Sequence, residues 1–236
     1  NLDHFDPESL DYVYKAVKNI KNSLPEEIPL IGFCGSPWTL AAYSIEGRSS
    51  KDFKKTLNFL LSNQEDVHNL LTKYTDACFL YLRRQVQSGA DVIQIFDSWA
   101  NLLTKEGLIE YSFNYINALI SALKLDPVTK NIPVIVFARN PKCNIEGLIN
   151  TSADCISLFW SMNDLNFELA KNKVAIQGNL DPKILLESDE IIKRETYKIL
   201  EKFERYPGYI FNLGHGITPD INPDKIKYLT NIVREY

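Results

Sequence analysis

PLIGFCGSP, residues 29–37, is a short apolar run closed by glycine, serine and proline. Runs of this length between turn-forming residues are typical of strands buried in a sheet. A helix is predicted before it, because Asp6-Pro7 is a helix-starting pair and apolar residues then recur at helical spacing from Leu10 to Ile20. The chain therefore begins in the order helix, strand.

The same alternation continues to the end of the chain. Further strands are predicted at Val92–Phe96, Pro133–Phe137, Cys155–Trp160, Val174–Gln177 and Tyr209–Leu213. Further helices are predicted from a capping box of Ser62 and Glu65 to Gly89, over Lys105–Leu123, Leu165–Asn172 and Ile184–Phe203, and from Asn222-Pro223 onward. Six buried strands that alternate with helices indicate a parallel sheet with right-handed crossovers.

Two architectures have this order, a doubly wound open sheet and a closed (β/α)8 barrel. Gly32, Gly35 and Gly47 do not form the G-x-G-x-x-G fingerprint that doubly wound nucleotide-binding proteins usually carry. We therefore predict an α/β fold of the (β/α)8 TIM-barrel type. A complete barrel takes about 250 residues, so this chain is expected to hold about six of the eight units, as one N-terminally incomplete domain over residues 1–236.

Composition narrows the classes of partner. The 30 acidic and 26 basic residues are spread along the chain without basic runs, so nucleic acid is not expected as a partner. No uninterrupted apolar run reaches about 18 residues, which argues against a membrane partner. The four cysteines lie far apart, which predicts reduced thiols in the cytoplasm; they are Cys34, Cys78, Cys143 and Cys155. No metal site is predicted, because the three histidines are dispersed.

The active site of such a barrel lies at the carboxyl ends of its strands. His215 follows the last predicted strand between two glycines, where an imidazole can meet a ligand or simply bond to the backbone. Tyr43 is predicted in a loop after the first strand, with packing alone as an equal alternative. Asp97, Asn179 and Asp181 are candidate acids, bases or ligands, or caps of the helices that follow them.

These strand ends also carry a family resemblance. The stretches PLIGFCGSPWTLAAYSIEGRSSKDF (29–53), GADVIQIFDSWA (89–100), IPVIVFA (132–138), VAIQGNLDP (174–182) and FNLGHGITPD (211–220) resemble segments of uroporphyrinogen decarboxylases in the same order. The resemblance implies a homodimeric barrel that removes carbon dioxide from the four acetate groups of uroporphyrinogen III, giving coproporphyrinogen III, without metal or organic cofactor.

The resemblance also assigns site residues. Tyr43 and His215 match the family's tyrosine and histidine in the tetrapyrrole cleft and are implied to be catalytic and substrate-binding. Phe137 matches an aromatic wall residue of the substrate site, and Ala138 stands where many relatives carry serine or threonine. Phe159 departs from the family pattern G-L-D-W by replacing its polar residue.

The largest departure concerns two segments with no counterpart in this sequence. The family's R-x-A-G-R-Y and F-S-D-I motifs are expected before residue 1, and they supply guanidinium groups and an aspartate for a substrate with eight carboxylates. Two alternatives therefore stand beside the decarboxylase. One is an inactive, shortened barrel that serves as a binding or assembly partner, and the other is a zinc-dependent, corrinoid-related methyltransferase of the same superfamily, which the dispersed histidines and cysteines disfavour.

Overall fold

A computed structural model describes residues 4–48, 50–139, 145–162 and 167–236. The strands in these ranges are β1 (Ile31–Gly35), β2 (Val92–Asp97), β3 (Val134–Ala138), β4 (Cys155–Ser157), β5 (Ala175–Gln177) and β6 (Tyr209–Ile210). The α-helices are α1 (Asp11–Ser23), α2 (Pro37–Glu46), α3 (Lys54–Ser62), α4 (Gln64–Gln87), α5 (Lys105–Gly107), α6 (Asn114–Leu125), α7 (Ile145–Ile149), α8 (Asp189–Phe203) and α9 (Pro223–Glu235). A π-helical turn, Leu108–Phe113, joins α5 to α6.

The chain divides into two compact units, Asn1–Asp154 and Cys155–Tyr236. In the first, β2 pairs in parallel with β1 on one side and with β3 on the other. Every residue of β3 is buried. Helices α4 and α6 cover this sheet and turn buried leucines and isoleucines towards it. Burial of these apolar side chains is the main stabilising contribution to the unit.

In the second unit, β5 pairs in parallel with β4 and with β6. One apolar cluster in this unit includes Leu185, Ile192, Leu229 and Ile232, and it packs α8 and α9 together. Parallel strands that alternate with helices confirm the predicted α/β fold of the TIM-barrel type, with six strand–helix units in the described part of the chain. Within the same residues, no helix is both long and apolar enough to cross a membrane.

The segment after β1 is a helix, so the predicted loop around Tyr43 was wrong. Ser36 caps α2 by accepting a hydrogen bond from the backbone N–H of Thr39 at 3.0 Å, and Pro37 occupies its first turn. The helix ends at Gly47, whose φ of 80° is a left-handed conformation that glycine adopts without strain. The serine–proline pair was therefore a helix start, not a turn.

The capping box at Ser62 and Glu65 was also wrong. Ser62 is the last residue of α3, a helix that was not predicted, and α4 begins one residue after Asn63. The side chain of Asn63, the residue before α4, does not cap that helix and instead donates to the carbonyl of Phe59 at 3.4 Å. Only Asn63 separates the short α3 from the long α4, which is why the pattern concealed the first helix.

Three other predictions changed in detail. Strand β1 is not buried on both faces in this chain, because Ile31 and Phe33 are 43% and 59% exposed. The helix predicted over Ile184–Phe203 is interrupted: a 3-10 helix ends at Leu186 and α8 begins at Asp189. The predicted helix Leu165–Asn172 is a 3-10 helix at Phe167–Leu169, and its first residues lie outside the described ranges.

Candidate functional site

The first turn of α2 is tied to the end of β2 by a buried aspartate. Asp97 has no exposed surface, and its carboxylate accepts hydrogen bonds from Ser36 Oγ at 2.9 Å and Thr39 Oγ1 at 3.0 Å. Ser112 Oγ, from the π-helical turn, donates to the other carboxylate oxygen. These contacts set the position of α2, the helix that carries Tyr43.

Burial and the hydrogen bonds of Asp97 have opposite effects on its pKa. Burial raises the pKa of Asp97 above its ordinary value, and the hydroxyls of Ser112, Ser36 and Thr39 act in the opposite direction because they stabilise the carboxylate. The hydroxyls leave few acceptor positions free on the two oxygens. Asp97 therefore joins β2 to α2 and to the π-helical turn, and it is not a cap of the 3-10 helix that follows it, whose start has no side-chain cap.

Tyr43 belongs to an aromatic cluster beside the ends of β1 and β2. Its ring stands edge-on to Trp99 and to Phe53, with 5.9 Å between centroids in each pair, and the residue is 39% exposed. Phe53 is fully buried and packs on Trp99 at 4.3 Å. The guanidinium of Arg139 lies 5.6 Å from the centroid of Trp99. The cluster holds the tyrosine ring from two sides, beside a positive charge.

Phe137 and Ala138 end β3, next to the end of β2. Phe137 is 6% exposed and packs against Phe96 at 5.9 Å, while Ala138 has no exposed surface. The backbone N–H of Arg139 donates to the carbonyl of Asp97 at 3.0 Å and aligns the two strand ends. The first unit thus brings together Tyr43, Asp97, Trp99 and the end of β3.

His215 lies in the second unit, in the loop after β6. Its imidazole is exposed, stands edge-on to Phe159 at 5.8 Å, and has Nδ1 3.5 Å from the carbonyl oxygen of Gly216. A β-carbon on Gly214 would lie 2.5 Å from the α-carbon of Trp160 and closer still to its nitrogen. Only glycine leaves room for so close a contact with the backbone of Trp160. The loop that carries His215 therefore packs directly against the residues that follow β4.

Asn179 supports the same loop from the end of β5. It is buried, and its Nδ2 donates to the carbonyls of Phe159 at 3.2 Å and Trp160 at 3.4 Å. Phe159 itself is 7% exposed, so the polar residue of the family pattern is replaced by an aromatic edge against the imidazole. Three strand ends of the second unit therefore meet around His215.

The other sequence candidates have simpler roles. Asp181 caps the 3-10 helix that follows it, by accepting from the backbone N–H of Lys183 at 3.0 Å, as its alternative reading predicted. Cys143 lies outside the described residues. Within those residues, no group of three or more histidine, cysteine, aspartate or glutamate side chains is placed to hold a metal ion. Sequence reasoning missed Ser112 and Phe53, which carry no local signal because their partners are distant in sequence.

Comparison with known proteins identifies the family. A family model described as Uroporphyrinogen decarboxylase (URO-D) matches residues 1–236. Proteins named "Uroporphyrinogen decarboxylase" from Ruthia magnifica and Magnetococcus marinus are each 42% identical to this chain, over 96% and 99% of its length. A third, from Vesicomyosocius okutanii, is 40% identical over 96% of the chain. The chain spans 66%, 67% and 65% of these three relatives.

Solved structures support the fold. A methyltransferase from Methanosarcina mazei has a TM-score of 0.74 at 20% identity and is covered over 63% of its length, by 94% of this chain. A B12-independent methionine synthase from Shewanella sp. W3-18-1 has a TM-score of 0.60 at 16% identity, with 94% of this chain and 66% of that chain covered. At such identities the likeness concerns the fold alone. Since the family model spans residues 1–236 and relatives of that name share about two fifths of its residues, the chain belongs to the uroporphyrinogen decarboxylase family.

Proposed function

We propose that this chain is part of an enzyme that converts uroporphyrinogen III to coproporphyrinogen III by removing carbon dioxide from four acetate side chains. The match of the family model to residues 1–236 carries this proposal. The 42% identity to proteins named uroporphyrinogen decarboxylase supports it. The methyltransferase alternative has less support, because its structural relatives are only 16–20% identical and show the fold alone.

The reaction needs one proton for each acetate. Loss of carbon dioxide leaves the electron pair of the broken carbon–carbon bond on the side chain or the pyrrole, and a proton must reach that carbon to make a methyl group. Donors that meet the substrate carboxylate or the pyrrole lower the barrier by stabilising charge that develops in the transition state. Phenol and imidazole groups are both suited to this work.

Tyr43 and His215 are the proposed catalytic and substrate-binding residues. The ring of Tyr43 is fixed by Trp99 and Phe53 yet remains 39% exposed, which suits a preorganised hydrogen-bond donor. The imidazole of His215 is exposed on a loop whose path is set by Gly214. Both residues thus combine a fixed backbone with an accessible polar group.

Phe137 and Ala138 are proposed to contribute the apolar wall of the substrate site. Phe137 is 6% exposed, whereas Ala138 has no exposed surface and supports the wall from behind through its methyl group. This wall would lower the local dielectric constant, and hydrogen bonds to the substrate carboxylates would strengthen as a result.

Assembly, cofactors and location belong to the same proposal. We propose a homodimer in the cytoplasm that works without metal or organic cofactor, with residues 1–236 belonging to a single barrel domain. Cys34, Cys78 and Cys155 form no disulfide in the described part of the chain, which supports a reducing compartment. Analytical ultracentrifugation checks the dimer.

A second candidate function is that of an inactive, shortened barrel that binds a partner. In the described part of the chain β1 is an edge strand with Ile31 and Phe33 43% and 59% exposed, an edge that either a partner or a further segment of the same protein would cover. Exposed edge strands with unpaired backbone groups tend to pair with β-strands of other chains.

Incubation with uroporphyrinogen III separates the two functions. The chain is compared with the longer product of its gene, if the reading frame extends upstream of Asn1, and the porphyrins are separated after oxidation by their number of carboxyl groups. Appearance of products with seven, six, five and four carboxyl groups is expected from a decarboxylase. Absence of all four from every folded form, as judged by circular dichroism, contradicts the enzymatic proposal and leaves the binding function.

A further inference from the structure

Two buried cysteines meet where β1 packs on α4. Cys34 lies in β1 and Cys78 in α4, and they are 5% and 2% exposed. The thiol of Cys78 donates to the carbonyl of Gly35, the residue next to Cys34, at 3.5 Å. Neither forms a disulfide. No catalytic step proposed above uses a thiol, so the two cysteines have no part in the proposed reaction.

Both cysteines line one cavity of about 310 Å³ that is partly open to solvent. Its walls are largely apolar and aromatic and include Phe33, Leu40 and Tyr81. Apolar cavities of about 150 Å³ already admit benzene. The space beside the thiols therefore accommodates one small aromatic ring.

The protonation state of the two cysteines restricts the reactions that their thiols can undergo. The hydrogen bond to Cys78 and the burial of both residues hold the pKa of the Cys34 thiol well above its usual range. Neutral thiols react slowly with peroxides and alkylating agents, because the thiolate is the nucleophile. A charged product would also be costly in this apolar setting.

The small number of ligand side chains beside the two thiols further restricts what they can bind. Zinc and similar divalent ions take four ligands in proteins, and no group of three or more histidine, cysteine, aspartate or glutamate side chains is available within the described ranges. A trivalent arsenical with one organic substituent needs only two sulfurs. Arsenic(III) is soft, its dithiolate product is neutral, and its third bond carries the organic group.

We propose that Cys34 and Cys78 form a binding site for a monosubstituted trivalent arsenical whose organic group occupies the adjoining cavity. With an arsine oxide, two arsenic–sulfur bonds form and both thiol S–H bonds break. The two protons leave with the oxygen of the reagent as one water molecule. Arsenic stays in its trivalent state, so no oxidant or reductant is required.

Phenylarsine oxide is the probe that tests this site. Under native conditions, intact-mass measurement is expected to show one adduct per chain, with the mass of the reagent minus one water. Excess 2,3-dimercaptopropanol should remove the adduct, and an equal concentration of a monothiol should not. The variants Cys34→Ser and Cys78→Ser should each lose the adduct, whereas Cys143→Ser and Cys155→Ser should keep it.

A second measurement uses the unaltered chain, so it does not depend on the folding of any variant. The arsenical-treated chain is unfolded, alkylated with iodoacetamide and digested. Cys34 and Cys78 should be protected from alkylation, and Cys143 and Cys155 should be modified. Protection of a different pair, an adduct that forms only after denaturation, or an unchanged adduct in Cys34→Ser overturns the proposal.

Discussion

Thr39 Oγ1 donates a 3.0 Å hydrogen bond to the fully buried carboxylate of Asp97 and so joins the first turn of α2 to the end of β2. Tyr43 follows Thr39 by one helical turn and shares its helix. The proposed catalytic tyrosine is therefore held in place through an aspartate that does not need to touch the substrate.

Replacement of Asp97 by asparagine is expected to destabilise the first unit. An amide would present N–H donors to the hydroxyls of Ser36, Thr39 and Ser112, which now donate to the carboxylate. The loss should be about 1–3 kcal/mol, the range for a buried polar group left without partners. Urea unfolding measures it. The matched control is Asp181→Asn, at a helix cap where both residues serve equally; equal losses in the two variants would contradict the assignment.

Gly214→Ala should disturb the loop that carries His215. The new β-carbon would overlap the backbone of Trp160, and forcing extra atoms into a packed contact costs about 1–3 kcal/mol. Thermal unfolding and the imidazole NMR signals of His215 report the change. Gly216→Ala is the control two residues along, because no atom lies within 4 Å of its β-carbon position. If both variants behave alike, the contact with Trp160 does not define the loop.

Asp91 should give the chain an acid-sensitive contribution to stability. The backbone N–H of Leu30 and the ammonium of Lys21 both donate to its carboxylate at 2.7 Å, and they lower the pKa of Asp91 below its ordinary value of 3.8. A carboxyl with a lowered pKa in the folded state stabilises it above the unfolded-state pKa and loses this effect as the pH falls through the folded-state pKa.

The measurement is the free energy of unfolding against pH for the chain and for Asp91→Asn. The variant should be less stable at neutral pH, and the gap should narrow at pH values below 3.8. Asp11→Asn, which removes a surface ion pair with Lys15, is the control and should change the curve little. A gap for Asp91→Asn that stays constant with pH would contradict the role of its charge.

Tyr43→Phe and His215→Gln are expected to lower kcat for uroporphyrinogen III in the active form of the protein. The loss for each should be about 10²–10⁴-fold, the usual contribution of a positioned proton donor. Both variants should unfold at the midpoint of the unaltered protein, because neither removes a described hydrogen bond within the core. Tyr12→Phe and His68→Gln are controls, on an exposed ring and on α4 respectively. Unchanged kcat in both test variants would contradict the assigned roles.

Much of the fold was predictable because its signals are local. Each apolar run between turn residues became a strand within a few residues of its predicted bounds, as Val92–Phe96 did at β2. The cap and proline at Asn222-Pro223 marked the start of α9 correctly. Local signals failed at Ser62 and Asn63, since a single residue separates α3 from α4 and the sequence pattern indicated one helix there instead of two.

The site was predictable only in part. The motifs around Tyr43 and His215 were visible in the sequence, and the buried setting of Asp97 was not. Ser112 reaches Asp97 from a π-helical turn, and Phe159 meets His215 from a different strand end. Contacts of this kind depend on strand register and on how helices cross the sheet, which no short window of sequence contains.

The sequence by itself therefore determined the order of the strands and most of the helices, the family, and two candidate residues after strands, because periodicity, caps and motifs act over short distances along the chain. Only the tertiary structure decided that Thr39 and Ser112 share one buried carboxylate, that Gly214 must lack a side chain beside Trp160, and that Cys34 and Cys78 line one cavity. Packing between distant segments sets these contacts, and it exists only once the chain has folded.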